Sequence, residues 1–126
     1  MRCILDACVH QSVGHIVKLS AQGVGDSAPR AGLGFRLLVR FSNLRHAFWD
    51  HAVADQLLSA STLRWTIVRP PILADEPSRG PVAAGEQLKT TTRTSLPRTD
   101  VATFVVQCFD NDIWSNRCVT LAPAKG

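Results

Sequence analysis

Apolar positions recur along the chain with two different periods. Ile4, Leu5, Ala7, Cys8 and Val13, with Asp6 and His10 between them, predict a short helix over residues 3–13 packed on a sheet. Val13-Gly14 ends it, Gly14 being suited to the left-handed cap position. His15 to Leu19, H-I-V-K-L, then reads as a strand, followed by Ser20 and a glycine-rich loop, A-Q-G-V-G-D-S, at 21–27. Residues 28–34 continue as loop with Pro29, Gly32 and Gly34, and Phe35 to Phe41 predicts one or two helical turns.

Ser42 or Asn43 can cap the next helix, which runs to about Ala60. At 100° per residue, Trp49, Val53, Leu57 and Ala60 form its apolar stripe, flanked by Ala54. Asp50 projects into the middle of that sector, where a salt bridge to Arg69 or Arg45 is expected. His51 lies on the border, and Asp55, Gln56 and Ser59 face away.

Trp65 to Val68 is aromatic and β-branched, which suits a buried strand. Arg69 closes it, and Pro70-Pro71 forbids further pairing because proline has no N–H to donate. On its own, V-R-P-P reads equally as a simple strand terminator. Residues 75–80 form a polar loop, and Gln87 to Thr92 predicts a short threonine-rich strand. Leu96 to Asp100 introduces a final helix with Thr99 as candidate cap and Asp100 in the first turn, where its charge opposes the helix dipole. Val101, Phe104, Val105, Cys108 and Phe109 give that helix its buried face, and Asn111-Asp112 end it. Cys118 to Leu121 is the last strand, and Pro123 onward is tail.

Helices alternating with short strands predict an α/β fold with three parallel strands. In such open sheets ligands bind outside the carboxyl ends of the strands. Ser20, His51 and Pro70 are expected together on that rim, with a hollow where the double proline bends the backbone away.

Bulk properties narrow the function classes. The chain has 126 residues, enough for one domain, and is 45% hydrophobic and 19% charged, so it is globular rather than disordered. A net charge of +4, with pI near 9.2, permits an anionic ligand. The basic residues are scattered, with Arg30, Arg36, Arg40 and Arg45 as one loose cluster on a solvated face, so no nucleic-acid partner is expected. Cys3, Cys8, Cys108 and Cys118 lack metal-ligand spacing, so no metal is expected and buried free thiols in a reducing compartment are. No apolar run approaches the roughly 20 residues that span a bilayer. The start, M-R-C-I-L-D-A-C, does not read as a signal peptide, which points to a cytoplasmic protein.

The order of the motifs resembles the carboxyl-terminal part of an atypical short-chain dehydrogenase/reductase, the NAD(P)-binding group that includes NmrA-like proteins and flavin or biliverdin reductases. The residues that carry the resemblance are H-I-V-K-L-S with G-V-G-D-S, F-W-D-H-A-V-A-D-Q-L-L-S-A-S, L-R-W-T-I-V-R-P-P-I-L and P-R-T-D-V-A. Of these, W-T-I-V-R-P-P and R-x-D-V-A are the most specific. The resemblance implies a partial Rossmann-like (doubly wound) parallel sheet with flanking helices over residues 1–126, the second half of the family fold. The early strands and the G-x-x-G-x-x-G turn, whose amides would hold the dinucleotide phosphates, are missing.

It also implies NADP or NAD as cofactor, NADP slightly preferred, and hydride transfer to a small organic acceptor. Pro70, Pro71 and Ile72 would line the nicotinamide side next to Arg69, and Ser20 and Gly23 would flank the substrate. The superfamily's serine falls on Ser20. Its Tyr-x-x-x-Lys pair falls on Ala47 and His51, and the chain holds no tyrosine. Ser20 and His51 are therefore the candidate catalytic pair, with His51 as the titratable group near neutrality. Their alternative readings are a turn-forming hydroxyl and a helix-border histidine. Two further readings are a non-catalytic dinucleotide sensor and an inactive truncated fragment. A homodimer could form through an open sheet edge.

Overall fold

The computed structural model describes residues 1–24, 32–91 and 93–124. The elements run in the order α1 (Arg2–His10), β1 (Ile16–Leu19), α2 (Leu33–Phe41), α3 (Leu44–Ser59), β2 (Trp65–Arg69), β3 (Ile72–Ala74), β4 (Val82–Gly85), β5 (Ser95–Pro97), α4 (Arg98–Asp110) and β6 (Arg117–Pro123). The main sheet has the order β1-β2-β6-β4. Its first three strands are parallel, as expected, with Leu19 opposite Val68 and Val68 opposite Val119. The fold is thus mixed α/β with a mainly parallel sheet flanked by helices.

The central strands β2 and β6 carry runs of consecutive buried residues rather than an alternating pattern. Consecutive burial means both faces are covered, which is the rule for parallel strands. Alternation along each strand still divides the faces. Val17, Val68, Val119 and Leu121 pack with Val101, Phe104 and Cys108 of α4 in one cluster. Ile67, next to Val68, points to the opposite face, and α3 packs on β2 and buries Leu58. Full burial of each such aliphatic side chain contributes on the order of 1.5–3 kcal/mol.

Several expectations are corrected. The helix stripe of α3 is rotated by about one residue: Trp49 is 71% exposed, Val53 and Ala60 are exposed, and Asp55, expected to face away, is only 5% exposed. A charged residue won the inward position because three donors await it there. Asp50 is exposed rather than central. The edge strand lies at Val82–Gly85, antiparallel to β6, whereas the expected strand at Gln87–Thr92 is a turn and irregular chain up to Thr91, with Thr92 outside the described residues. Threonine content misled there, because β-propensity is decided by pairing and packing. Beyond the double proline a second sheet begins, in which β3 pairs with β5 in parallel.

Helix α1 buries none of its residues, so it is not packed into the sheet as expected. Its positive-φ residue is Ser12 (φ 54) rather than Gly14. Asn43 holds the N-cap position of α3 without a side-chain bond to the helix, and Ser42 just before it accepts the Leu44 N–H through Oγ at 3.3 Å. Thr99 is not the cap of α4, since Pro97 holds that position. Phe109, expected to be buried, is exposed and meets His15 edge-on at 5.6 Å. None of the four cysteines forms a disulfide, and of them Cys108 alone is buried, while Cys3 is exposed. No helix among the described residues is long and apolar enough to cross a membrane.

Candidate functional site

Strands β1 and β2 end side by side. The Ser20 N–H donates to the Val68 carbonyl at 2.8 Å, and the Gln22 N–H donates to the Pro70 carbonyl at 3.1 Å. The chain after β1 is therefore stitched to the double proline, although proline itself can donate nothing. Gly23 then takes φ 86, a conformation open to glycine at little steric cost, and Val24 is buried just beyond it. Gly25 to Ser27, the rest of the expected glycine-rich loop, lie outside the described residues.

A hollow of about 240 Å³ opens at this junction. Pro70, Pro71 and Ile72 form one wall, Ala21 and Gln22 another, and Phe48 with Leu44 of α3 a third; Thr90 and Thr91 close it. The expected hollow beside the double proline is thus present. Its walls are largely apolar, suited to the flat face of a ring.

Immediately behind this hollow lies a buried polar cluster. The pleat places Lys18, Ser20 and Arg69 on the face of the sheet that α3 covers, the face of Ile67, which pairs with Lys18. Asp55 descends onto them. Its Oδ1 lies 2.6 Å from Lys18 Nζ, and its Oδ2 accepts from Ser20 Oγ at 3.0 Å and from Arg69 Nη2 at 3.2 Å. One carboxylate so serves two cations and a hydroxyl. Lys18 Nζ also lies 3.5 Å from Nδ1 of His51, which sits one helical turn before Asp55.

The expected site residues are therefore sorted into two groups. Pro70, Pro71 and Ile72 line the hollow. Ser20, Arg69 and His51 belong to the polar cluster and do not line it. Gly23 follows Gln22 at the turn. Three residues of the arrangement were missed: Lys18, Asp55 and Gln22. Two carried a signal. H-I-V-K-L-S puts Lys18 and Ser20 two apart on one strand face, and His51 and Asp55 are four apart on one helix face. The salt bridge to Arg69 was anticipated, with the wrong carboxylate.

A second polar arrangement lies at the other end of the sheet. Thr66 Oγ1 donates to the Trp114 carbonyl at 2.9 Å and lies 2.9 Å from Nε2 of His15. The hydroxyl has one proton, so His15 must donate through Nε2. Burial pushes the His15 pKa below its ordinary value, and the nearby Arg64 charge adds to this, while Asp112 opposes it. In the first turn of α4, Asp100 accepts from the Ser78 hydroxyl and from the Arg79 N–H at 2.8 Å. These bonds hold its carboxyl below the usual range. No group of three or more potential metal ligands gathers among the described residues.

Comparison with known proteins agrees with this architecture. A sugar epimerase of Bacillus subtilis (strain 168), itself uncharacterised, is 40% identical over 68 residues, which are 54% of this chain and 30% of that protein. A Bacillus halodurans structure named as an NAD-dependent epimerase/dehydratase superposes with TM-score 0.77 at 23% identity, covering 98% of this chain and 52% of the other. ChuY, an anaerobillin reductase from Escherichia coli O157:H7, gives TM-score 0.82 at 18% identity, covering 99% and 57%. A Veillonella parvula short-chain dehydrogenase/reductase in complex with NADP gives 0.71 at 16%, covering 94% and 55%. The chain thus spans little more than half the length of these solved structures. Residues 1–112 match the NAD(P)H-binding family. With residues 1–112 of its 126 matched in this way, the chain belongs to the NAD(P)H-binding family.

Proposed function

We propose that the hollow beside Pro70-Pro71 receives the nicotinamide end of NAD(P)H and a small organic hydride acceptor, so that the protein works as an oxidoreductase of the atypical short-chain dehydrogenase/reductase group. The observation that carries this reading is the apolar hollow at the paired carboxyl ends of β1 and β2. Ligands of open α/β sheets bind at that position. The residues present fit the ring end of the cofactor, with Pro70, Pro71 and Ile72 as the wall. The sequence contains no G-x-x-G-x-x-G turn for the phosphates. When bound, the cofactor supplies the hydride. The slight preference for NADP rests on the relative seen in complex with it.

In this reading Arg69 is a positioning residue, since its bond to Asp55 anchors the strand end from which Pro70 departs. Ser20, Asp55, Lys18 and His51 form a chain of contacts from beside the hollow to a half-buried histidine. Ser20 and His51 assist proton delivery through it. The chain would act as one domain corresponding to the second half of the family fold, in a cytoplasmic setting consistent with free thiols. Its partner is a small molecule. A second copy could join across β1, which ends the sheet.

One observation favours a second reading, a dinucleotide-binding protein without turnover. The Ser20 hydroxyl already donates to Asp55 outside the hollow, and the chain holds no tyrosine. Titration with NADPH and NADH, followed by thermal shift, tests the shared claim. A shift with either cofactor is expected; none at about millimolar concentration, far above the micromolar range of ordinary cofactor affinity, would remove cofactor binding. Turnover of quinones or flavins by the bound form then separates reductase from sensor.

A further inference from the structure

We infer that Gln22 is the specificity-determining donor of the hollow, and that it selects a compact, apolar ligand bearing a carbonyl oxygen. This deepens the proposed reading of the same hollow and rests on it for the identity of the ligand as hydride acceptor. Gln22 is buried, at 8% exposure, and lines the hollow. Its Oε1 accepts from the Thr90 hydroxyl, which fixes the amide plane. Its Nε2, also buried, has no hydrogen-bond partner among the described residues. A buried donor left unmade carries a desolvation penalty that a ligand acceptor removes.

The surroundings say what kind of acceptor. Pro70, Pro71, Phe48 and Leu44 offer apolar surface, so the body of the ligand must be apolar. The hollow, at about 240 Å³, lies below the range of roughly 300–1,000 Å³ for drug-sized ligands, so a one- or two-ring skeleton fits better than an extended one. Ser20 cannot take the donor role without breaking its bond to Asp55, whereas Gln22 Nε2 gives up nothing. Sites built around one buried polar group reject analogues that lack its partner far more sharply than apolar walls reject a missing methylene.

The test uses 1-tetralone and its hydrocarbon counterpart tetralin, which share a two-ring body and differ in the carbonyl. Calorimetric titration of the whole chain, without cofactor, should show the ketone bound at least about tenfold tighter than the hydrocarbon, the factor that 1.4 kcal/mol represents. Gln22→Leu should erase that preference, so that ketone and hydrocarbon bind alike. If Gln22→Leu fails to fold, the side-chain amide NMR signals of wild-type Gln22 decide: the Nε2 protons should move downfield with tetralone, as a new hydrogen bond requires, and not with tetralin. Equal affinities, no binding of either probe, an unchanged preference in Gln22→Leu, or a preference for the alcohol 1-tetralol would each overturn the inference. Cofactor binding is read separately. NADPH binding with no ketone preference removes Gln22 and keeps the cofactor reading, whereas a Gln22-dependent preference without NADPH binding does the reverse.

Discussion

Asp55 Oδ2 lies 3.2 Å from Nη2 of Arg69, joining the middle of α3 to the last residue of β2. The side chains of both are almost wholly buried, and Lys18 shares the carboxylate from the neighbouring strand. Breaking a buried ion pair from one side costs about 3–5 kcal/mol, because a charge stays behind without its counter-charge. Asp55→Ala is expected to destabilise the chain by that amount in urea unfolding. Asp50→Ala, at an exposed position on the same helix, should change stability by less than about 0.5 kcal/mol.

His15 makes stability depend on pH near neutrality. Its folded-state pKa is lowered, so the unfolded chain binds the proton more readily. The contribution is full above the ordinary value of 6.5 and is lost as pH falls below it toward the folded value. His15→Gln keeps a donor for Thr66 and cannot titrate. The urea midpoint of the wild type should fall on acidification from pH 7.5 to 5.5, and that of His15→Gln should fall less.

Asp100 acts in a more acidic window. Its pKa is lowered chiefly by the Ser78 hydroxyl and then by the Arg79 N–H, so its stabilisation is present above the ordinary 3.8 and is lost as pH falls through the folded value. Asp100→Asn should therefore lower the thermal midpoint at pH 6 and lower it much less at pH 2.5. A difference that stays constant across that range would contradict the assignment.

The thiols should separate by environment. Burial raises the Cys108 pKa, and the thiolate is the reactive form, whereas Cys3 is exposed on α1. Limited treatment of the folded chain with a maleimide, read by peptide mass spectrometry, should label Cys3 first. Cys108 should react only when denaturant opens the α4 face of the sheet.

The sheet was legible where one physical cause dominated. Trp65 to Val68 reads as a buried strand, and Pro70-Pro71 withdraws the N–H groups that further pairing needs, so with the habit of open sheets to bind ligands at strand ends the hollow could be expected. The face of α3 was not legible, because a hydrophobic stripe says where apolar residues gather and not which charge finds partners. Asp55 is inward because Lys18, Ser20 and Arg69 arrive there from two strands, and that meeting lies 14 to 37 residues away in sequence. The strand at Val82–Gly85 was missed for a similar reason. Alanine and glycine have weak strand preference, and antiparallel pairing with β6 overrides it. Gln22 gave no sign of its role, since an amide's worth depends on the partner it lacks.

The placement of Lys18, between Val17 and Leu19, has a consequence for how the chain finds its alignment. A slip of β1 by a single residue against β2 would turn Lys18 toward the Val68–Phe104 cluster and leave Asp55 facing an aliphatic side chain. Every slip by an odd number of residues thus strands an ammonium in oil, and the polar cluster serves as a proofreading mark against it.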